Sequence, residues 1–156
     1  AMLQSMDSLM HYFVKNHGYC MPEFIWGTTV QTNQTRFFDR DIANGMNLLI
    51  SLSSDTLCYA EITYSVSNCP EIPSILVLSD SYYRDFYNLG KENGFHFADY
   101  LYYNRELYTA KDTLDLEEKP MVYDTLLEAY DIILFLETEA NIKRLSYGFL
   151  NNVLQN

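Results

Sequence analysis

Cations are scarce in this chain. Lys and Arg number 10 against 21 Asp and Glu, a net charge of −11. Gripping a nucleic-acid backbone takes clustered Lys and Arg, so nucleic acid is excluded as a partner. Docking on an anionic membrane surface is disfavoured for the same reason. Long apolar runs are missing too: none nears the ~20 residues of a membrane-spanning helix, so no membrane insertion is expected. The opening AMLQSMDSLMHYF has neither the basic region nor the apolar block of a signal peptide. Cysteine is limited to Cys20, Cys58 and Cys69. Odd in number and widely spaced, they match no metal pattern and no disulfide framework, and read as incidental thiols. Histidine is limited to His11, His17 and His96, none in an Asp-x-x-His pair. No cofactor or metal signature is present.

Tyrosine is abundant. There are 14, with nine Phe and one Trp, and clusters fall at Tyr82-Tyr83 and at Tyr100, Tyr102 and Tyr103. A flat apolar ring with a polar tip suits a sugar or a partner surface. Its commoner use is a core wall whose hydroxyls reach water. With 48% apolar and 20% charged residues over 156 positions, the chain is expected to fold as one domain spanning 1–156.

Periodicity sets the expected elements. Leu3, Met6, Leu9, Met10, Phe13 and Val14 recur at helical spacing, predicting a helix over 2–15. Residues 18–38 lack a period and read as a loop, and a second helix is expected from Asp39 or Asp41 to Ile50. TLCYAEITY (56–64) is strand-like, and 66–73 is a turn-rich connector. Residues 74–79 are an almost wholly apolar strand, as expected when both faces are covered. A helix over 82–89, a loop over 90–94 and a strand within 95–103 follow. Residues 105–120 read as a polar connector and 125–130 as a short helix. DIILFLE (131–137) is a second buried strand. The last helix is expected over 140–154, with Ile142, Leu145, Phe149, Leu150 and Val153 inward. Alternating strands and helices predict an α/β fold: a mostly parallel sheet flanked by helices. Ligands of such sheets bind beyond the carboxyl ends of the strands. Ser79-Asp80-Ser81, Tyr103-Asn104 and Glu137-Thr138-Glu139 converge there.

The stretch SILVLSDSYYRD (74–85) concentrates the candidate chemistry. A serine lifted on a strand–turn–helix junction can attack a carbonyl if a base takes its proton and donors hold the oxyanion. Ser81 has that place but lacks a GxSxG pattern, and an N-cap hydroxyl is the alternative. Asp80 could hold Mg²⁺ or phosphate with Glu137 and Glu139, or simply cap the next helix.

Ser79-Asp80-Ser81 resembles the Gly-Asp-Ser block of SGNH hydrolases, and more specifically the branch related to alginate O-acetyltransferases. MDSLMHYF is similar to the helix after that branch's His-containing segment, and DRDIANGMNLLISLSSDTLCYAEITY to the stretch before the serine block. FADYLYYN and DIILFLETEANIKRLSYGFL fit its aromatic-Asn strand and its last strand and helix. The resemblance implies a flavodoxin-like, SGNH-type sheet with Ser81 as nucleophile. Backbone N–H groups near Ser81 and the Asn104 side chain would be oxyanion donors, with Ser79, Asp80, Thr138 and Glu139 in support. Two departures are visible: Ser79 replaces the usual Gly, and the branch's Asp and His lie upstream of anything in this chain. The chain is therefore expected to be the C-terminal portion of such a domain, an incomplete sheet whose exposed edges a homo-oligomer would compensate. The implied function is a serine esterase or O-acyltransferase on a carbohydrate ester, inactive here without its base, in a periplasmic or cell-envelope setting. The alternative is a non-catalytic carbohydrate- or protein-binding module of the same fold.

Overall fold

The computed structural model describes residues 2–32, 57–65, 71–92, 96–117 and 123–155. The chain divides into two compact units, Glu23–Ser65 and the remainder, Ala1–Pro22 with Val66–Asn156.

The described residues of the smaller unit form a two-stranded antiparallel sheet. β1 (Glu23–Thr32) pairs with β2 (Leu57–Ser65) from Glu23↔Ser65 to Thr32↔Leu57. β2 agrees with the strand expected over 56–64, but β1 replaces the expected loop. EFIWGTTVQT is rich in aromatic and β-branched residues that favour a pleated strand. Its alternation is broken by a register shift between Trp26 and Thr29, which hides the period of two. Gly27 sits in that shift, where a Cβ would meet the Glu61 Cβ at 3.1 Å and the Glu61 carbonyl oxygen at 3.3 Å. The helix expected near 39–50 lies outside the described residues.

The larger unit is mixed α/β. It opens with α1 (Met2–His17), which ends at Gly18 with φ +70°. Met6 and Met10, one turn apart, are buried. The main sheet contains β3 (Ile75–Ser79), β4 (Asp99–Tyr102), β5 (Glu106–Tyr108), β6 (Thr113–Asp115) and β7 (Ile132–Leu136), in the order β6-β5-β4-β3-β7. β3 runs parallel to both β4 and β7, whereas β4–β5 and β5–β6 are antiparallel. The expectation of a mostly parallel sheet is thus corrected to a parallel centre with an antiparallel edge. Residues 105–120 carry that edge. Strands of three residues with charged neighbours leave too little pattern to distinguish them from a connector.

Both faces of β3 are covered. Leu76 and Leu78 face one side, in register with Ile133 and Phe135 on β7 and beside Leu101 on β4. They pack with Leu126 of α3 (Tyr123–Ala129) and Phe149 of α4 (Phe149–Gln155). Val77 faces the other side beside Tyr100. Tyr100 takes Tyr83 at 5.1 Å and Tyr87 at 5.9 Å between ring centroids, from α2 (Tyr82–Glu92). Burial on both faces explains why ILVLS lacks alternation. α2 runs three residues past Leu89, taking in the buried Gly90 that was expected to start a loop. At the amino edge, the Ser74 N–H and hydroxyl both donate to Asp131 Oδ2 at 2.8 Å, fixing the start of β3 against β7.

The chain's end departs most from expectation. A 3₁₀ stretch, Glu139–Gly148, breaks at Arg144–Tyr147 before α4 begins. Phe149 is buried and Val153 packs on the core, but Ile142, Leu145 and Leu150 are 62%, 50% and 40% exposed. The kink rotates the second half relative to the first, so one helical stripe cannot describe both. A second correction concerns sulfur: Cys20 is disulfide-bonded rather than an incidental thiol. Separation along the chain does not report distance in the fold.

Candidate functional site

The parallel register brings three strand ends together. Ser79 pairs with Tyr102 on one side and Leu136 on the other. Ser79-Asp80-Ser81, Tyr103-Asn104 and Glu137-Thr138 therefore leave one carboxyl edge. Within this trio of segments the side chains diverge. Ser79 is buried, and its carbonyl accepts the Tyr103 N–H at 3.1 Å. Asp80 is also buried, while Ser81 is exposed at the start of α2.

Asp80 is saturated with donors. Oδ1 accepts the Tyr82 N–H at 2.9 Å. Oδ2 accepts the Thr138 hydroxyl at 2.6 Å, the Asn141 amide at 2.8 Å and the Thr138 N–H at 3.2 Å. The Asp80 carbonyl accepts the buried Tyr100 hydroxyl at 2.6 Å. Burial, the largest single influence, raises the Asp80 carboxyl. The bonds from Thr138, Asn141 and Tyr82 together outweigh it and hold the group below the ordinary carboxylate range. This carboxylate ties β3 to the segment after β7. Glu139 is exposed, and Glu137 Oε1 accepts the Ser146 N–H at 3.1 Å. Among the described residues no group of three His, Cys, Asp or Glu is placed to hold a metal.

Asn104 is set by its backbone. Tyr103 and Asn104 have φ of 49° and 55°, and the Arg105 N–H donates to the Tyr102 carbonyl at 2.9 Å. That is a tight turn with both central residues at positive φ, within the three-residue connection from β4 to β5, a geometry that favours Asn. The Asn104 amide reaches the Tyr147 carbonyl, and its Oδ1 accepts the Tyr123 hydroxyl, both at 3.4 Å. The Tyr82 N–H beside Ser81 is taken by Asp80.

The three histidines lie in other settings. His11 Nδ1 is 2.9 Å from the Asp7 carbonyl. The His17 ring lies against Tyr12, Phe13 and Tyr19. His96 Nε2 sits 2.7 Å from Asp99 Oδ1, at the amino end of β4, opposite the edge that carries Ser81. Among the described residues no side chain hydrogen-bonds the Ser81 hydroxyl.

Beside the Asp80 clamp lies a cleft of about 630 Å³, lined by Tyr103, Arg105, Asn141, Lys143, Arg144, Leu145, Tyr147, Gly148 and Asn151. Asn141 belongs to both. The four non-glycine residues with positive φ among the described ones, Tyr103, Asn104, Ser146 and Tyr147, are all at or next to this cleft. Such backbone costs about 1–3 kcal/mol per residue and persists only where the surroundings enforce it. The Tyr103 and Tyr147 rings meet edge to face at 4.7 Å. The tyrosine clusters thus divide: Tyr83 and Tyr100 are core, while Tyr103 faces the cleft. Sequence reasoning reached Tyr103 and Asn104 but missed Arg105, Lys143, Arg144 and Tyr147. They fall in a segment read as connector and in a helix read as continuous; the run of polar and cationic residues in ANIKRLSYG was the one available signal.

Comparison with known protein families, curated proteins and solved structures finds no significant match. Among the described residues no helix is long and apolar enough to cross a membrane.

Proposed function

We propose that the larger unit is an SGNH-like module that binds carbohydrate at the carboxyl edge of its parallel strands without turning it over. The observation that carries this reading is the cleft: the rings of Tyr103 and Tyr147 on backbone held in a costly conformation, with the amides of Asn141 and Asn151 beside them. Rings offer a flat apolar surface to a sugar face, and amides offer both donor and acceptor to its hydroxyls. Strain confined to one site is the mark of a pre-arranged binding surface.

Tyr103→Gly separates binding from folding. Glycine takes positive φ without cost, so the variant should hold stability within about 1 kcal/mol of the parent. Loss of the ring should weaken oligosaccharide binding about tenfold, measured by calorimetry. Equal affinities in parent and variant would remove the cleft from the reading.

A second reading, acyl transfer through Ser81, is favoured by one observation: the Ser81 side chain is exposed where β3 gives way to α2. The two readings part on one test. A serine-directed fluorophosphonate should leave the chain unlabelled, and Ser81→Ala should bind oligosaccharide like the parent. Labelling that Ser81→Ala abolishes would move the conclusion to the esterase.

A further inference from the structure

Charge is distributed unevenly at the cleft. The chain has 10 cationic residues and 21 acidic ones. Three of the cations, Arg105, Lys143 and Arg144, line this one cleft, and none of the acids does. A random draw from so acidic a chain would favour the opposite sign. Among the described residues the ion pair made by these cations is Arg105 Nε with Glu117 Oε1 at 3.8 Å, both side chains about 70% exposed, while the Asp80 and Glu137 carboxylates behind the cleft are bonded to Asn141 and to the Ser146 N–H. A pair that open holds its partners weakly, so Arg105 is available to a ligand.

We infer that the cleft takes a phosphorylated sugar, its phosphoryl group held by Arg105, Lys143 and Arg144 and its ring by Tyr103. This deepens the carbohydrate reading above and rests on it. Three cations on one cleft exceed what a single carboxylate needs. A phosphate monoester carries roughly −1.5 to −2 charge and three strong acceptor oxygens. Two planar guanidinium forks match those oxygens in pairs, and the ammonium adds a point charge. The overall acidity of the chain repels a polyanion such as nucleic acid, while a small phosphorylated ligand meets only the local field.

The test is a calorimetric series on the whole chain at low salt. The probes are a hexose phosphate, the parent hexose, the matching hexuronate and inorganic phosphate. The hexose phosphate should bind at least about tenfold tighter than each of the other three. Arg105→Gln with Arg144→Gln should bring it to the level of the hexose. Melting curves establish that these exposed substitutions leave the fold intact, and Lys143→Gln should give a smaller loss in the same direction. Equal binding of hexose and hexose phosphate, or no effect of the double variant, overturns the inference while the carbohydrate reading stands. A hexuronate that matches the hexose phosphate overturns the phosphoryl assignment. Inorganic phosphate binding as tightly as the hexose phosphate overturns the sugar half, and with it the carbohydrate reading.

Discussion

Asp80→Asn should destabilise the larger unit by about 2–4 kcal/mol, although the substitution barely changes the shape of the side chain. Four donors converge on the carboxylate: two from Thr138, one from Asn141 and one from Tyr82. An amide can accept at one position only, so its own N–H₂ must face donors that were bonded before. Buried donors left without partners lose their hydration and gain nothing in return. Denaturant unfolding of parent and variant measures the loss directly. A loss below about 0.5 kcal/mol would show that Asp80 does not tie β3 to the segment after β7.

The same residue fixes a pH dependence. The Asp80 carboxyl lies below its ordinary value in the folded chain. Its contribution is therefore complete above the unfolded value, about 3.9, and is lost as pH falls through the lower folded value. Asp99 carries the same sign: burial raises it, but bonds from His96 and Tyr130 outweigh that. Stability should fall on acidification below about pH 4, and Asp80→Asn should make that limb shallower.

Phe149→Ala should cost about 3–5 kcal/mol, the usual range for removing a fully buried aromatic side chain. Phe149 is 1% exposed and meets Tyr123 and Phe135 at ring centroid distances of 5.5 and 5.9 Å. Leu150→Ala, one residue on and 40% exposed, should cost less than about 1 kcal/mol. The pair distinguishes a kinked C-terminal segment from a continuous helix, because a single helix from 140 would bury Leu150 and Leu145 as well. Comparable losses at both positions would contradict the kink.

These positions also mark how far the sequence could be read. Ile75–Leu78 and Ile132–Leu136 announce buried central strands because both faces are apolar, and their convergence on one edge with Tyr103-Asn104 follows from parallel pairing. The antiparallel edge Glu106–Asp115 was illegible: its strands are three residues long, and their pairing is decided by the turns at Tyr103-Asn104 and at Thr109–Asp112 rather than by their own pattern. β1 was hidden by the irregularity at Gly27. The break at Arg144–Tyr147 was equally silent, since IKRLSY contains no Gly or Pro to announce it, only Gly148 just beyond. The cleft depends on that break and on the turn at Tyr103-Asn104. Its cationic residues therefore come together only when two tertiary features the sequence conceals are both in place. Asp80 shows the opposite error: its position was found, but the reading of cap, metal ligand or phosphate site could not be resolved until Thr138 and Asn141 were brought to it.

The most direct test of the carboxyl-edge site is to follow backbone amide shifts of the whole chain during titration with a phosphorylated oligosaccharide. Shifts should concentrate at Tyr103–Arg105 and Asn141–Gly148 and leave Glu23–Ser65 unchanged. Shifts confined to Glu23–Ser65, or to the amino edge around Ser74, His96 and Asp131, would contradict it.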